Sequence, residues 1–215
     1  MIEPQLSRNL TCAAGRRQSL TKAMAKTITH PAFEPLKEAF PHLKFRASEF
    51  RDMTTLVVER EQLLAVAKFL RDDPRTAFDF LCELNGVDYL NFRGATHRFA
   101  VNYGLVSTTH NHRLWLKVFL DPDHDTSPGI DVPDESAVAD GDPGLLIDSV
   151  TSIWPGAEWP EREVYDMFGI IFNKHPDLRR ILTWNAFGSY PLRKDYPLRG
   201  IGERENYKIV TRDSA

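Results

Sequence analysis

The side chains best suited to chemistry in this sequence lie between Trp159 and Gly200, where acids and bases follow one another closely. The charged and titratable side chains of this stretch include Glu161, Arg162, Glu163, Asp166, His175, Asp177, Arg179, Arg180, Arg193, Lys194 and Asp195. Large apolar residues such as Phe168, Leu178 and Tyr196 alternate with them. Opposite charges among apolar side chains favour a buried, ion-paired interface over a solvated surface.

Arginine is the main cation of this stretch, and its planar guanidinium can bind carboxylates or backbone carbonyls while its stem packs on aromatic rings. We expect Arg179 and Arg193 to pair with buried carboxylates. Pro176, Pro191 and Pro197 restrict the backbone and reduce the entropy lost when an irregular segment docks. The sequence therefore predicts an irregular chain that is ordered within an assembly.

Catalytic interpretations of the same residues are less favoured. Glu161 and Glu163 could form an acid–base pair, but Arg162 and the Arg179–Arg180 pair are expected to keep both ionised, which suits a general acid poorly at neutral pH. Motifs for a serine nucleophile, a phosphate-binding glycine loop or a dinucleotide site are absent from the sequence.

The histidines leave two alternatives open. His175 could be a metal ligand or a proton relay, but Pro176 and Asp177 beside it favour a hydrogen-bonded turn residue. His110 and His112 lie at the tip of a predicted hairpin, where exposure to solvent is the favoured interpretation and metal binding the alternative.

Composition excludes several classes of protein. The net charge of -3 and the pI near 6.2 argue against a protein that neutralises many phosphates, and disfavour a base-stacking role for Trp154, Trp159 and Trp184. The two cysteines, Cys12 and Cys82, are too few for a disulfide framework or for an iron–sulfur cluster held by this chain alone. No run of about twenty apolar residues is present to span a membrane.

The elements that must position the motif are predicted to form an α+β domain over residues 27–150. Apolar periodicity predicts helices near residues 33–43 and 61–73 and a third helix from Pro74 to Asn85-Gly86. Alternation predicts a strand at 54–58 and an antiparallel hairpin that turns at His110–His112. The fold class is thus α+β, with a mixed or antiparallel sheet packed with helices, followed by an irregular extended C-terminal interface segment.

Three further segments flank or interrupt this domain. Residues 1–26 are basic with one acid, Glu3, and are interpreted as a disordered tail, either a transit peptide or a misassigned start before Met24. Residues 121–143 form an acidic loop; a calcium site there is disfavoured because the glycine and closing glutamate of an EF-hand are missing. Residues 151–215 carry a helix that starts near Pro160 and ends at Gly169, and then a partner-binding extension.

The strings ERE, YDMFGI, HPDLRRIL and PLRKDYPLRG, in this order and spacing, resemble the 30 kDa subunit family of respiratory complex I, NADH:quinone oxidoreductase. The residues matching the family motif are Glu161, Arg162, Glu163, Asp166, Gly169, His175, Arg179, Arg180, Pro191, Arg193, Lys194, Asp195 and Pro197. Where the family often has Gly-His before the proline, this chain has Ser189-Tyr190, so a proton-handling histidine is not expected there.

The resemblance implies a non-catalytic structural subunit of the peripheral arm of a proton-translocating complex, with no catalytic residue, metal or cofactor of its own. Iron–sulfur clusters, FMN, NADH and quinone would belong to other subunits. The implied partners are the subunit that forms the quinone pocket and the neighbouring iron–sulfur subunits, not nucleic acid. The implied location is the cytoplasmic face of a bacterial plasma membrane, or alternatively the matrix side of the mitochondrial inner membrane. The rival is the homologous subunit of a membrane-bound energy-converting NiFe hydrogenase.

Overall fold

A computed structural model of the chain describes residues 28–123 and 142–201. The predicted tail at 1–26, most of the predicted acidic loop with its calcium-site alternative, and the residues from 202 onward lie outside the described residues. Within the described ranges, no helix is long and apolar enough to cross a membrane.

Three α-helices and seven strands make up the regular structure of the described ranges. In chain order they are α1 (Phe33–Ala39), β1 (Arg46–Phe50), β2 (Met53–Val57), α2 (Leu63–Asp72), β3 (Phe80–Asp88), β4 (Phe99–Ser107), β5 (His112–Leu120), β6 (Leu146–Asp148), α3 (Glu158–Phe168) and β7 (Ile171–Asn173). Short 3-10 turns at Arg60–Gln62 and Pro155–Ala157 lead into α2 and α3.

Five strands form one mixed sheet in the order β1-β2-β5-β4-β3. The pairing of β2 with β5 is parallel and the other three pairings are antiparallel. Strands β6 and β7 form a separate parallel pair. This arrangement confirms the predicted α+β class and the predicted hairpin, whose arms are β4 and β5.

The core lies on one face of the large sheet. Every second residue of β5, from Leu114 to Leu120, is buried, as expected for a strand that covers a core on one side. Helix α2 contributes Leu63, Val66, Ala67 and Leu70, which are spaced so that they share one helical face. The predicted amphipathic helix in this region is therefore confirmed.

The predicted helix from Pro74 to Gly86 is wrong, because residues 80–88 form strand β3, which pairs with β4 almost along its length. Ala77 has a φ of 42°, which is incompatible with a right-handed helix at that point. Gly86 does not end a helix; it lies within the strand, where a Cβ would be only 2.6 Å from a ring carbon of Phe168. The glycine lets helix α3 pack closely on β3.

Candidate interface site

Helix α3 carries the first part of the charged motif, and its ends are those predicted from the sequence. Pro160 lies in its first turn, and Gly169 ends it in the left-handed conformation with a φ of 73°. The Gly169 N–H donates to the carbonyl oxygen of Tyr165 at 2.8 Å. The helix buries Glu161 and Asp166 together with its apolar residues.

Asp166 holds the chain that returns after β7. Its Oδ2 accepts the backbone N–H groups of Ile181, Leu182 and Thr183 at 3.0, 2.7 and 2.8 Å. Its Oδ1 accepts the Arg180 Nη1 at 2.8 Å and the Thr183 hydroxyl. Three consecutive amides converge on one carboxylate, so the Asp166 side chain fixes the path of an otherwise irregular segment.

The electrostatics of Asp166 reflect two opposed effects. Burial acts to raise the pKa of its carboxyl, but hydrogen bonds from Thr183, Leu182 and Arg180 outweigh burial and hold the pKa below its ordinary value. The side chain is fully buried, and the Arg180 side chain is 11% exposed. Asp166 is therefore a buried carboxylate whose charge is compensated by donors.

Arginine side chains also bind backbone carbonyls here, as the sequence suggested. Arg162 donates from Nε to the carbonyl oxygen of Arg179 at 3.0 Å and from Nη2 to that of Arg180 at 3.3 Å. The Arg180 guanidinium lies over the rings of Tyr190 and Phe187, 5.1 and 5.8 Å from their centroids. These contacts tie residues 179–190 to helix α3.

Arg193 is buried at the C-terminal end of α3. Its Nε donates to the carbonyl oxygen of Phe168 at 2.7 Å, which satisfies one of the last carbonyls of the helix. Its guanidinium lies over the rings of Tyr190 and Phe99, at 4.4 and 5.4 Å. The expected carboxylate pairing is thus replaced by a carbonyl and two aromatic faces.

A second carboxylate anchor lies on the large sheet and was missed in the sequence. Asp88, at the end of β3, has a fully buried side chain whose oxygens accept the backbone N–H groups of Leu90 and Lys194 at 2.9 and 2.8 Å. Arg98, just before β4, forms an ion pair with Asp195. No local pattern in the sequence indicated this pairing, because 106 residues separate Asp88 from Lys194.

Glu161 differs from the sequence-based expectation. Its fully buried side chain accepts the Ser149 hydroxyl at 2.6 Å and the Val150 N–H at 2.8 Å. Burial raises the pKa of its carboxyl to about 7, against the lowering effect of these two hydrogen bonds. The expectation that neighbouring arginines keep Glu161 ionised is wrong, because Arg162 turns toward the carbonyls of Arg179 and Arg180.

His175 is the hydrogen-bonded turn residue that the sequence predicted. Its Nδ1 accepts the N–H of Asp177 at 3.0 Å, so its Nε2 carries the proton and donates to the carbonyl oxygen of Glu158 at 2.9 Å. Both ring nitrogens therefore have backbone partners. The Nε2 lies 3.9 Å from the Glu161 Oε2.

Several of the remaining motif residues face solvent. Glu163 and Lys194 are exposed, and Arg179, with 68% of its side chain exposed, pairs with Asp177 at 2.8 Å on the surface. The expectation that Arg179 pairs with a buried carboxylate is wrong, because Asp177 is itself 43% exposed. A role for these residues in contacting a partner stays a prediction.

The described residues around His110, His112 and His175 do not supply a set of side chains that could hold a metal ion. In residues 28–123 and 142–201, no three His, Cys, Asp or Glu side chains are grouped to hold a metal ion. The His110 and His112 rings stack 6.1 Å apart, and the His110 Nε2 donates to the carbonyl oxygen of Pro74 at 2.8 Å. His110 is therefore engaged by the backbone.

The anchored chain after β7 leaves large apolar side chains in solvent. We call residues 174–201 the C-terminal segment. Its exposed large apolar side chains are Leu182, Trp184, Leu192, Leu198 and Ile201, and Trp159 at the start of α3 is also exposed. Leu198 is fully exposed. Five such residues in one anchored segment make that segment a candidate binding surface.

Comparison with known families gives one match over most of the chain. The model of the family described as respiratory-chain NADH dehydrogenase, 30 Kd subunit, matches residues 56–133 and 135–201. The match includes the three elements that anchor the C-terminal segment, which are β3, β4 and α3.

Two curated relatives bear the same name, that of the C subunit of NADH-quinone oxidoreductase. The protein from Roseiflexus sp. (strain RS-1) is 42% identical over 165 residues, which cover 77% of this chain and 82% of the relative. The protein from Citrifermentans bemidjiense is 41% identical over 173 residues, covering 80% of this chain and 91% of the relative.

A solved structure shares the fold. The structure of the membrane-bound sulfane sulfur reductase, an archaeal respiratory membrane complex, contains a chain that is 18% identical, with a TM-score of 0.57. The similarity covers 85% of this chain and 95% of that one.

Proposed function

The chain belongs to the family of the 30 kDa subunit of respiratory-chain NADH dehydrogenase, and we propose that its own part in that complex is to hold neighbouring subunits together without catalysing a reaction. It is a structural subunit of the peripheral arm of NADH:quinone oxidoreductase and thus part of an oxidoreductase complex.

The observation that supports the proposal most directly is the construction of the C-terminal segment. Hydrogen bonds from the buried side chains of Asp166, Arg193 and Asp88 fix its backbone against the domain, while Leu192 and Leu198 project into solvent. A backbone that is held in place before binding loses little entropy when it docks. Such a segment suits a rigid contact with another protein better than a flexible tether.

The partner in this proposal is the subunit that forms the quinone pocket, with the neighbouring iron–sulfur subunits around it. The electron carriers belong to those subunits, and this chain contributes a fixed distance and orientation between them. Its site residues act as interface supports: Asp166, Arg180 and Arg193 from within, and the exposed Glu163, Arg179 and Lys194 toward the partner. The complex is associated with the membrane, and this chain lies on its cytoplasmic or matrix face without entering the bilayer.

The experiment that tests this proposal places a charge on the exposed side of the segment. The double variant Leu192→Asp/Leu198→Asp changes two side chains that are 51% and fully exposed. We expect the free energy of unfolding of the isolated full chain to change by less than about 0.5 kcal/mol. The yield of oxidoreductase subunits that copurify with the tagged chain from its native membranes should fall by about tenfold or more.

Phe50→Asp is the matched control, because Phe50 is 65% exposed at the β1–β2 turn, outside the C-terminal segment. It should leave copurification unchanged. Full copurification with the double variant would refute the proposed docking surface. Mass spectrometry of the captured subunits also tests the hydrogenase alternative. Capture of the quinone-pocket subunit would exclude it, and capture of a nickel-binding large subunit instead would support it.

A further inference from the structure

Glu161 is a buried carboxyl group that the proposed interface role does not use. It lies on the inward face of α3, and the groups facing it come from three other parts of the fold. Tyr103 approaches from β4, His175 from the turn after β7, and Ser149 from the turn after β6. Within the described part of the chain, the 3.9 Å approach of the His175 Nε2 is its only contact with a basic side chain.

The backbone engages both ring nitrogens of His175. Its Nδ1 accepts the Asp177 N–H and its Nε2 donates to the carbonyl oxygen of Glu158, not to Glu161. Tyr103 is fully buried and its hydroxyl has no hydrogen-bond partner in the described structure. The charge of an ionised Glu161 would therefore be stabilised by two hydrogen bonds alone, from Ser149 and Val150. Because the surrounding interior is apolar, the protonated acid is favoured.

The Ser149 hydroxyl can serve both protonation states without losing a bond. When Glu161 is ionised, Ser149 donates to its Oε2 at 2.6 Å and accepts from the N–H and the hydroxyl of Thr151 at 3.2 and 2.8 Å. When Glu161 is protonated, the acid donates to Ser149 and the Ser149 hydroxyl donates to Thr151 instead. Every donor and acceptor of Ser149 is used in both arrangements.

Thr151 is the most exposed member of this chain of polar groups. Its residue is half-buried, whereas Ser149 is 5% exposed and Glu161 is fully buried. The three oxygens thus run from the surface to the carboxyl with separations of 2.8 and 2.6 Å. Those distances are short enough for a proton to pass between neighbouring oxygens.

We propose that Glu161 is an internal proton-binding site and that Thr151 and Ser149 form the path by which it exchanges this proton with solvent. A proton from water binds the Thr151 Oγ1, the Thr151 hydroxyl proton moves to the Ser149 Oγ, and the Ser149 hydroxyl proton moves to the Glu161 Oε2. Each hydroxyl ends with one proton, and the carboxyl gains one. The elevated pKa of Glu161, about 7, supports the site. This inference does not depend on the proposed interface role.

The test is infrared difference spectroscopy on the full chain between about pH 5 and about pH 9. The C=O stretch of a protonated carboxylic acid should appear with a midpoint near neutral pH, far above that of an ordinary glutamate. Glu161→Gln should abolish this band, and Glu163→Gln, which changes an exposed glutamate on the same helix, should leave it unchanged. A native spectrum without the band, or a Glu161→Gln spectrum that keeps it, would overturn the proton-binding site.

Two milder variants keep the carboxyl and test its path. Ser149→Ala removes a hydrogen bond that is stronger to the ionised carboxylate than to the acid, so the midpoint should rise by about one pH unit. Thr151→Val removes the outer hydroxyl while keeping the shape of the side chain. After a rapid drop in pH, the acid band should form about tenfold more slowly in this variant. An unchanged midpoint in Ser149→Ala, or an unchanged rate in Thr151→Val, would refute the hydroxyl path.

Discussion

Asp166 on helix α3 and Arg180 in the C-terminal segment form an ion pair of 2.8 Å in which the carboxylate is fully buried. The same carboxylate accepts the backbone N–H groups of the three residues that follow Arg180. One side chain therefore sets both the position of a cation and the course of the backbone. The irregular segment is ordered by polar bonds to the domain as well as by apolar packing.

Asp166→Asn should destabilise the chain by about 3 kcal/mol, because one of the two accepting oxygens becomes an NH2 group, which cannot accept the donors that converge on the carboxylate, and the charge that pairs with Arg180 is lost. Arg180→Ala should cost less, about 1–2 kcal/mol, since the amides and the Thr183 hydroxyl still compensate the charge of Asp166. Urea unfolding of the full chain measures both values. Glu163→Gln, at an exposed position on α3, is the control and should change the free energy of unfolding little. A larger loss for Arg180→Ala than for Asp166→Asn would contradict this order.

Arg193→Ala and Arg179→Ala should differ strongly. Arg193 is buried and supports a helix-terminal carbonyl and two aromatic rings, so its removal should cost about 2–3 kcal/mol. Arg179 pairs with Asp177 in solvent, and its removal should cost less than about 1 kcal/mol. Thermal unfolding of the two variants of the isolated chain measures the difference. Equal losses would show that the burial of Arg193 is not what stabilises the segment.

Gly169→Ala should destabilise the junction between α3 and β7. The residue has a φ of 73°, and a Cβ there would lie 2.6 Å from the Arg193 Nη2 and from ring carbons of Tyr190. The backbone strain and the displaced side chains should together cost about 2 kcal/mol. Gly156→Ala is the matched control, because a Cβ at Gly156 meets no atom within 4 Å. If both variants unfold at the same denaturant concentration, the close approach at Gly169 is not a constraint on the fold.

The sequence predicted the elements that have a clear apolar periodicity or typical residues at their ends. Helix α2 and the β4–β5 hairpin follow from apolar periodicity, and α3 follows from Pro160, its apolar face and Gly169. Strand β3 was misread because Pro74 and Asn85-Gly86 are also typical of helix ends. Only the distant contact of Phe168 with Gly86 explains why a glycine lies in that strand.

The sequence predicted which charged residues form the site, but not which partner each of them contacts. Adjacent helical residues point in directions about 100° apart, so Arg162 could not be assumed to face Glu161. The roles of Asp88 and Arg98 could not be predicted, because their partners, Lys194 and Asp195, are about a hundred residues away along the chain. Local patterns carry no information on such long-range pairing.

His30 holds the chain before α1 through two hydrogen bonds to the backbone. Its Nε2 donates to the carbonyl oxygen of Arg113 at 3.0 Å, and its Nδ1 accepts the Ala32 N–H at 3.2 Å. Burial lowers the pKa of His30, the Arg113 hydrogen bond opposes this, and the nearby His112 adds to the lowering. The unfolded chain therefore binds a proton at a higher pH than the folded chain.

The contribution of His30 to stability is present above its unfolded pKa, about 6.5, and is lost as the pH falls through the lower pKa of the folded state. As the pH falls from about 7.5 to about 5, the unfolding free energy of the native chain should decrease more than that of His30→Gln. Ionisations at distant groups, including Glu161, cancel from this difference. His42→Gln, which changes an exposed histidine after α1, is the control for replacing a histidine by glutamine. A difference that is independent of pH for His30→Gln would mean that the ring is not held neutral by its two backbone partners.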